Sequence, residues 1–284
     1  MKITFFCFFN IFTHLLFFLY FLVRFTSPHP KDFPDQVLDV IGAYPNIARG
    51  IHMPAQAGSN HMLDLMRRNH TREAYLELIK HFRTKIPGVE FSTDLISGFC
   101  GETEQDHLDT LSLIQEVEYE MAFMFTYSMR ERTHAWHKVE KGVWTDDLHP
   151  TIKKKRLADI VQTYRDTALK RSQKVDLNQI KLVLVDGYSK RSTREHPQMT
   201  GRTDTFKRCV FNVDCGSDYQ HLNNTIQLQE GDYVVVQINE AAVSTLKATP
   251  LFRTTLTEFS QMKWKAKDFK VDFNGVLRRE NVIV

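Results

Sequence analysis

The sequence predicts an α/β fold with parallel strands, followed by a small antiparallel β-barrel. Strand and helix patterns alternate from Arg24 to about residue 150, and parallel strands need crossover helices to connect them. After residue 175 the pattern changes to short alternating strands joined by Gly-rich and polar turns, which is typical of a small barrel. We therefore predict a domain boundary near residue 175 of this 284-residue chain.

The α/β part begins with a Pro-rich segment, residues 24–30, whose prolines oppose a helix. Ser59 and Thr71 precede apolar residues at helical spacing and are predicted N-caps, and Thr103 with Asp106 resembles a capping box. The predicted strands are 46–53, 89–96 and 121–127, and the predicted helices are 34–43 and those that follow the three caps.

A long helix from Thr151 to about Lys174 joins the two parts, with apolar residues on one face and basic residues over much of the rest. In the barrel part, we predict strands at 180–186, 209–213 and 232–239. The final segment, residues 259–284, has no clear repeat or motif.

Basic charge is concentrated in residues 151–210, which hold 15 Lys and Arg against 6 Asp and Glu, although the whole chain carries only +3. This asymmetry favours a surface that faces a polyanion, with a solvated helix face as the alternative. The composition, 42% hydrophobic and 25% charged, is that of a globular protein rather than a disordered one.

Residues 3–23 are almost wholly apolar and long enough to span a bilayer as a helix. Lys2 is the only charge before Arg24, and no small-residue cleavage site or Arg- and Ser-rich transit peptide is recognisable. Three interpretations stay open: a membrane anchor, an atypical signal, and a start-site or gene-model artefact.

The cysteines are too few and too dispersed for a disulfide framework, which favours a reducing compartment. They are Cys7, Cys100, Cys209 and Cys215. The last two lie in an alternating strand pattern, so we interpret them as strand residues and predict no metal site in this chain.

Polar segments 52–59, 92–103 and 127–130 each lie where a predicted strand ends. Ligands of parallel sheets and partial barrels sit beyond the carboxyl ends of the strands. Gly58 and Gly101 permit close backbone approach. Side chains suited to a nucleoside with a charged amino-acid end are Gln56, Ser59, Asp94 and Glu102, although each taken singly also suits a helix cap or a surface position.

Several sequence words occur in one order between Arg24 and about Ser260. They are RFTSPHP (24–30), HMPAQ (52–56), MRR (66–68), GFCGET (98–103) and YSMR (127–130). In these words the chain resembles the MiaB-type radical S-adenosylmethionine (SAM) tRNA methylthiotransferases, most closely their eukaryotic mitochondrial branch. The later words, LVLVDGYSKRS (182–192), TGR (200–202) and GDYV (231–234), resemble a TRAM domain, the RNA-binding module of that family.

The resemblance implies a partial radical SAM (β/α) barrel, an OB-like TRAM barrel, and 2-methylthiolation of an N6-modified adenosine in tRNA. The implied cofactors are SAM and [4Fe-4S] clusters, which the family holds with a CxxxCxxC loop and three further cysteines because cluster iron needs thiolates. This chain contains neither set of cysteines. By resemblance, the residues around SAM or the target base are Gln56, Ser59, Arg67, Asp94 and Glu102, with Arg130 near the mouth of the barrel.

The resemblance also implies tRNA as the partner. The basic residues expected to contact its phosphates are Lys190, Arg191, Arg194, Arg202, Lys207 and Arg208. Tyr188 or Phe206 is expected to stack on a base. A charged barrel surface without an RNA partner is the alternative.

We therefore expect an apolar segment (1–23), a partial radical SAM barrel (24–174), a TRAM domain (175–258) and a tail (259–284). The leading hypothesis is a truncated methylthiotransferase, mitochondrial or cytoplasmic by family, that retains RNA binding but does not perform radical chemistry alone. The alternatives are a non-catalytic RNA-binding or regulatory protein and a membrane-anchored interaction protein. A parallel sheet without its first strands exposes an apolar edge, which the N-terminal segment or a partner protein would have to cover.

Overall fold

A computed structural model describes residues 22–25, 33–146, 148–215, 226–261, 269–271 and 277–279. The helices are α1 (Asp35–Ala43), α2 (Asn60–Leu65), α3 (Arg72–Lys85), α4 (Glu104–Val117), α5 (His134–Glu140), α6 (Pro150–Val175) and α7 (Leu256–Gln261). The strands are β1 (Val23–Phe25), β2 (Ile47–His52), β3 (Glu90–Ser97), β4 (Met121–Thr126), β5 (Ile180–Tyr188), β6 (Gln198–Thr203), β7 (Arg208–Asn212), β8 (Asp214–Cys215), β9 (Ile226–Gln227), β10 (Tyr233–Ala241), β11 (Thr245–Thr254), β12 (Phe269–Val271) and β13 (Leu277–Arg279).

The chain divides into two compact units. Within the described residues, the α/β unit lies in the ranges 25–39 and 50–172, and the barrel unit lies in the ranges 22–24, 40–49 and 173–279. Strands β1 to β4 form one sheet in the order β1-β2-β3-β4, and a closed barrel has the order β10-β11-β7-β6-β5. The predicted fold class, a parallel α/β layer and a separate small barrel, is confirmed.

Side-chain caps begin the helices of the α/β unit where the sequence predicts them. Ser59 and Thr71 cap α2 and α3, and each side-chain oxygen accepts a hydrogen bond from a backbone N–H of the first turn. Thr103 and Asp106 form a complete capping box at the start of α4. Strands β2, β3 and β4 pair in parallel, so the carboxyl ends of all three lie at one edge.

The core of the α/β unit lies between the sheet and helices α3 and α4. Tyr75, Phe82 and Phe91 are almost completely buried there. The buried Tyr119 hydroxyl donates to the Tyr75 hydroxyl at 3.1 Å, and Tyr75 in turn donates to the Met53 carbonyl at 2.9 Å. Because both phenols are paired, their burial leaves no unsatisfied polar group.

Helix α6 buries cations as well as the predicted apolar face. Ile160, Tyr164 and Ala168 are buried as expected, but Arg156 and Lys153 are also at least 90% buried. Arg156 pairs with Glu102 and Lys153 with Asp146. Part of the positive charge counted in residues 151–210 is therefore neutralised inside the α/β unit and does not face solvent.

The barrel closes through a parallel pair, which corrects the prediction of a wholly antiparallel barrel. Strand β11 runs parallel to β7, whereas the other neighbours in the barrel are antiparallel. Strands β6 and β11, which contain Gly201 and Pro250, were not predicted. The barrel interior contains Val183, Val185, Met199, Cys209, Phe211, Val234, Val236, Ile238 and Leu246, all buried.

Residues 1–21 and most of 262–284 lie outside the described residues, so the interpretations of the apolar segment stay predictions. Among the helices that the structure describes, none is both long and apolar enough to cross a membrane.

Candidate functional site

A cleft of about 370 Å³ opens beyond the carboxyl ends of β2, β3 and β4, at the edge where the sequence predicts a pocket. Its lining residues are Gln56, Leu65, Met66, Arg67, Arg68, Ile96, Phe99, Tyr127, Arg130, Thr133, His134 and Ala135. Three predicted site residues, Gln56, Arg67 and Arg130, therefore meet here. Arg67 and Arg130 are exposed at its rim.

Two of these residues have left-handed backbone conformations. The φ angles of Gln56 and Arg67 are 71° and 56°. Residues other than glycine seldom adopt such positive values. Gln56 is held in place by β3, since its N–H donates to the Asp94 carbonyl and its carbonyl accepts from Ile96, both at 2.9 Å. Such conformations persist only where the surrounding structure enforces them.

Ser59 and Glu102 are instead engaged inside the α/β unit. The Ser59 hydroxyl donates to Asp106 at 2.6 Å and accepts from the Met62 N–H. Buried Glu102 pairs with Arg156 at 2.9 Å and accepts from the Gly98 N–H at 3.0 Å. In this structure both side chains shape the loops behind the cleft, and neither lines it.

The Asp106 carboxylate accepts hydrogen bonds from the Ser59 hydroxyl and from the hydroxyl and backbone N–H of Thr103. Burial raises the pKa of its carboxyl, but hydrogen bonds from Ser59, Thr103 and His61 outweigh burial and lower the pKa to about 2. The carboxylate thereby fixes the start of α4 against the Ser59 loop.

Gly58 allows its own backbone to lie close to another part of the protein, and not to a ligand as the sequence suggested. A Cβ added there would lie 2.4 Å from the Asp109 carbonyl oxygen of α4. The glycine therefore lets the loop after β2 pack directly on the α4 backbone.

Asp94 lies on an open face of the sheet beside the cleft. It shares that face with His52, Ser92 and Phe123, because residues paired in a parallel sheet point the same way. His52 Nδ1 lies 3.0 Å from Ser92 Oγ, and its Nε2 lies 3.5 Å from Asp94 Oδ2. Phe123 and, two residues further along β4, Phe125 are 45% and 54% exposed. Asp94 thus supplies a carboxylate on a face that also carries the polar side chains His52 and Ser92 and two exposed phenyl rings.

The cysteines in the described residues do not fit a cluster. Cys100 and Cys209 are buried in apolar surroundings and belong to different units. Burial raises the pKa of both thiols, that of Cys209 to about 12, which disfavours the thiolate that iron requires. In the described ranges, no group of three or more His, Cys, Asp or Glu side chains is arranged to hold a metal.

Nine of the twelve cleft residues were not among the predicted site residues, and the basic and aromatic side chains among these nine are Arg68, Phe99, Tyr127 and His134. Arg68, Phe99 and Tyr127 lie within the quoted words, so that signal was present. His134 begins α5, whose N-cap Thr133 accepts from the Trp136 N–H. Thr133, three residues beyond the YSMR word, was the available indication of this helix.

The barrel unit presents a second basic surface on the connection between β5 and β6. Lys190, Arg191 and Arg194 are exposed, and their charged groups have no partner among the described residues. Tyr188 beside them is 60% exposed. An exposed aromatic ring next to unpaired cations can stack on a base while the cations contact phosphates.

The other predicted RNA-contacting residues have protein partners. Arg202 lies 3.3 Å from Asp186, and Arg208 donates to Thr200 at 3.0 Å. The Phe206 ring has two guanidinium neighbours, Arg202 at 4.4 Å and Arg24 at 4.8 Å from its centroid. Tyr188 is therefore the more accessible of the two aromatic rings proposed to stack on a base.

Lys207 lies inside the barrel unit. Its side chain is only 3% exposed, and its ammonium pairs with buried Asp176 at 2.9 Å, which also pairs with Lys181. Burial raises the pKa of Asp176, but the two ammonium groups outweigh it and hold the pKa below its usual value. Because its charge is internal, Lys207 is not placed to reach a phosphate on the barrel surface.

Comparison with known proteins matches this chain to one superfamily model and to tRNA-modifying relatives. The radical SAM superfamily model matches residues 15–114. Mitochondrial tRNA methylthiotransferase CDK5RAP1 of Homo sapiens is 45% identical over 238 residues, covering 84% of this chain and 38% of that relative. The tRNA-2-methylthio-N(6)-dimethylallyladenosine synthase of Prosthecochloris aestuarii is 40% identical over 224 residues, covering 79% of this chain and 46% of that relative.

Among solved structures, coproporphyrinogen III oxidase (HemN) of Escherichia coli is 16% identical, with a TM-score of 0.37, over 74% of this chain and 44% of that one. The chain spans less than half the length of the two curated relatives described above.

The family-model match and the two curated relatives, together with the parallel sheet, place the protein in the radical SAM superfamily. Within that superfamily the chain belongs to the MiaB-type methylthiotransferase family, and the resemblance seen in its sequence words is confirmed.

Proposed function

We propose that this protein takes part in the 2-methylthiolation of an N6-modified adenosine in tRNA, and that its barrel unit is a TRAM-type module that binds the RNA. The names of the human and bacterial relatives support the reaction class. The observation that carries the proposal is the row of exposed, unpaired cations Lys190, Arg191 and Arg194 beside exposed Tyr188.

These four residues suit RNA better than duplex DNA or a protein partner. Flexible cations on a barrel turn neutralise phosphates without reading a groove, and an accessible phenol stacks on an unpaired base. Arg202 pairs with Asp186 and Arg208 donates to Thr200, so these two guanidinium groups are less free to move towards a phosphate. They would extend the RNA-binding surface along β6 and β7.

In the α/β unit, we propose that the open sheet face contributes to the SAM site. The Asp94 carboxylate is a suitable acceptor for the ammonium of SAM, and the exposed Phe123 ring offers apolar contact to its adenine. Bound SAM and its partner cluster supply radical chemistry in this family. Because Cys100 and Cys209, the cysteines whose side chains the structure describes, do not fit the cluster, we propose no step through it.

We further propose a mitochondrial site of action, in line with the printed names of the mammalian relatives. The domain limits 24–174 and 175–258 are proposed as the functional division.

Fluorescence anisotropy with a labelled RNA hairpin containing loop adenosines tests the RNA-binding part on the full chain. Arg191→Glu is expected to weaken binding about tenfold and to lower the salt dependence of the affinity. Lys247→Glu, an equal charge reversal at an exposed barrel residue, is the matched control. Equal losses in both variants, or no binding by the unmodified chain at low salt, would contradict the proposal.

A further inference from the structure

The charged side chains that line the cleft at the carboxyl edge of the sheet are all cationic. Three of its lining residues, Arg67, Arg68 and Arg130, carry guanidinium groups, and none of its lining residues is acidic. A concave site with several cations and no carboxylate attracts an anion and repels a cation.

Two of the three guanidinium groups are available to a ligand. Arg68 is occupied, because it donates to the Pro54 carbonyl at 3.2 Å. Arg67 and Arg130 are exposed and have no side-chain partner among the described residues. Arg156 and Arg171 in the same unit are, by contrast, tied to carboxylates at 2.9 Å and 2.7 Å.

His134 adds an unused polar atom to the cleft. Its Nε2 is buried and has no hydrogen-bond partner among the described residues. Burial, with Arg67 and Lys138 nearby, lowers the pKa of His134, which favours the neutral imidazole, a ring with one N–H donor. A buried unpaired polar atom costs free energy unless a ligand satisfies it.

Two aromatic rings, Phe99 and Tyr127, also line the cleft. Phe99 and Tyr127 contact each other edge to face, with ring centroids 4.6 Å apart. Apolar rings beside cations favour a ligand that joins an anionic group to a flat one, which describes a nucleotide.

SAM is a poor electrostatic match for this cleft, because its sulfonium and ammonium groups outnumber its carboxylate. The Asp94 carboxylate, which a cationic ligand would seek, lies on the neighbouring sheet face instead.

We propose that the cleft formed by Arg67, Arg130 and His134 binds a phosphodiester of the RNA substrate next to the modified adenosine, while SAM lies on the Asp94 face. This inference rests on the proposed function, since it assumes that RNA is the substrate. It assigns Gln56, Arg67 and Arg130 to the RNA rather than to SAM.

The test measures binding of a fluorescein-labelled RNA hairpin with loop adenosines to the full chain by anisotropy, at several salt concentrations. Arg67→Ala and Arg130→Ala are each expected to weaken binding about tenfold and to lower the magnitude of the salt slope by about 0.7, as expected for the loss of one phosphate contact. Arg67→Lys keeps the charge and should recover part of the affinity. Arg165→Ala, which removes an exposed arginine of α6 outside the cleft, is the matched control and should bind as the unmodified chain does.

The outcomes separate this inference from the proposed function. Losses confined to Arg67→Ala and Arg130→Ala, in variants whose circular dichroism and melting match the unmodified chain, support a phosphate site in the cleft. Unchanged affinity in both variants, or an equal loss in Arg165→Ala, overturns the cleft assignment while RNA binding by the barrel stands. Absence of RNA binding by the unmodified chain overturns both.

Discussion

The closed barrel fills its interior with apolar side chains such as Phe211 and Val236, whereas the parallel sheet leaves Phe123 and Phe125 exposed on one face. A closed sheet has no free edge, and its inner face is covered by its own strands. The parallel sheet does not close on itself among the described strands, and the exposed rings of Phe123 and Phe125 show that the face carrying Asp94 is accessible to solvent. The closed barrel is a stable support for the basic surface on its outside. The parallel sheet instead keeps the face with Asp94 accessible to a ligand.

Phe211→Ala offers the most severe test of the barrel half of this comparison. The Phe211 side chain is 2% exposed, and its removal leaves a cavity in a closed core that cannot collapse easily. We expect a loss of about 3–5 kcal/mol in the free energy of unfolding, measured by urea denaturation. A loss below about 1 kcal/mol would mean that the barrel interior repacks freely and is not closed as described.

Glu102→Gln sharpens the distinction between residues that bind ligand and residues that hold the site. Glu102 is buried and accepts from both Arg156 and the Gly98 N–H. Replacing the carboxylate leaves the Arg156 guanidinium without a buried counter-charge, although exposed Glu104 still contacts it. We expect a loss of about 2–3 kcal/mol in the free energy of unfolding.

The control is Glu104→Gln, which changes the exposed partner of the same arginine and should cost less than about 1 kcal/mol. If Glu102→Gln leaves the free energy of unfolding unchanged but weakens SAM binding in equilibrium dialysis, Glu102 contacts SAM or the target base, as the family resemblance implies.

Acid titration tests the Asp106 network beside the cleft. A lowered folded-state pKa means that the stabilisation is complete above the unfolded value, about 4, and is lost as the pH falls towards the folded value. With a folded pKa of about 2, Asp106 should contribute about 2 kcal/mol at pH 7.

The free energies of unfolding of the unmodified chain and Asp106→Asn should therefore differ at pH 7 and converge as the pH falls from about 5 towards 2. Asp109→Asn lies on the same helix, where its side chain accepts from exposed Gln105, and serves as the control. A difference that stays constant across this range would show that the carboxylate charge is not what stabilises the loop.

Local signals in the sequence predicted most of the α/β unit, because its caps are satisfied within a few residues. Ser59, Thr71 and Thr103 each form the expected side-chain to backbone hydrogen bond. Strands β6 and β11 were missed because long-range pairing sets them. Gly201 in β6 packs so closely that an added Cβ would lie 2.3 Å from the Leu184 carbonyl, a constraint that only the neighbouring strand reveals.

The candidate site shows the same limit. The resemblance in the sequence words predicted Gln56, Arg67 and Arg130 as site residues, and all three line one cleft in the structure. Residue type alone could not distinguish a free cation from a buried one, so Lys207 was grouped with Arg191 although Asp176 neutralises it. Nor could it show that Ser59 and Glu102 form hydrogen bonds within the protein, because their partners Asp106 and Arg156 lie on other elements.

Phe125→Ser tests whether the sheet face with Asp94 is open to solvent. Of the four substitutions, it should change the free energy of unfolding least. The ring is 54% exposed, so its removal takes little apolar surface out of the protein interior. We expect the free energy of unfolding to change by less than about 0.5 kcal/mol, against the large loss for the same residue type at position 211. A loss above about 2 kcal/mol would show that the ring is covered in solution, since burial of apolar surface is the only source of stabilisation of that size for a phenyl group. The Asp94 face would then be closed to ligand, and the proposed SAM site would have to lie elsewhere.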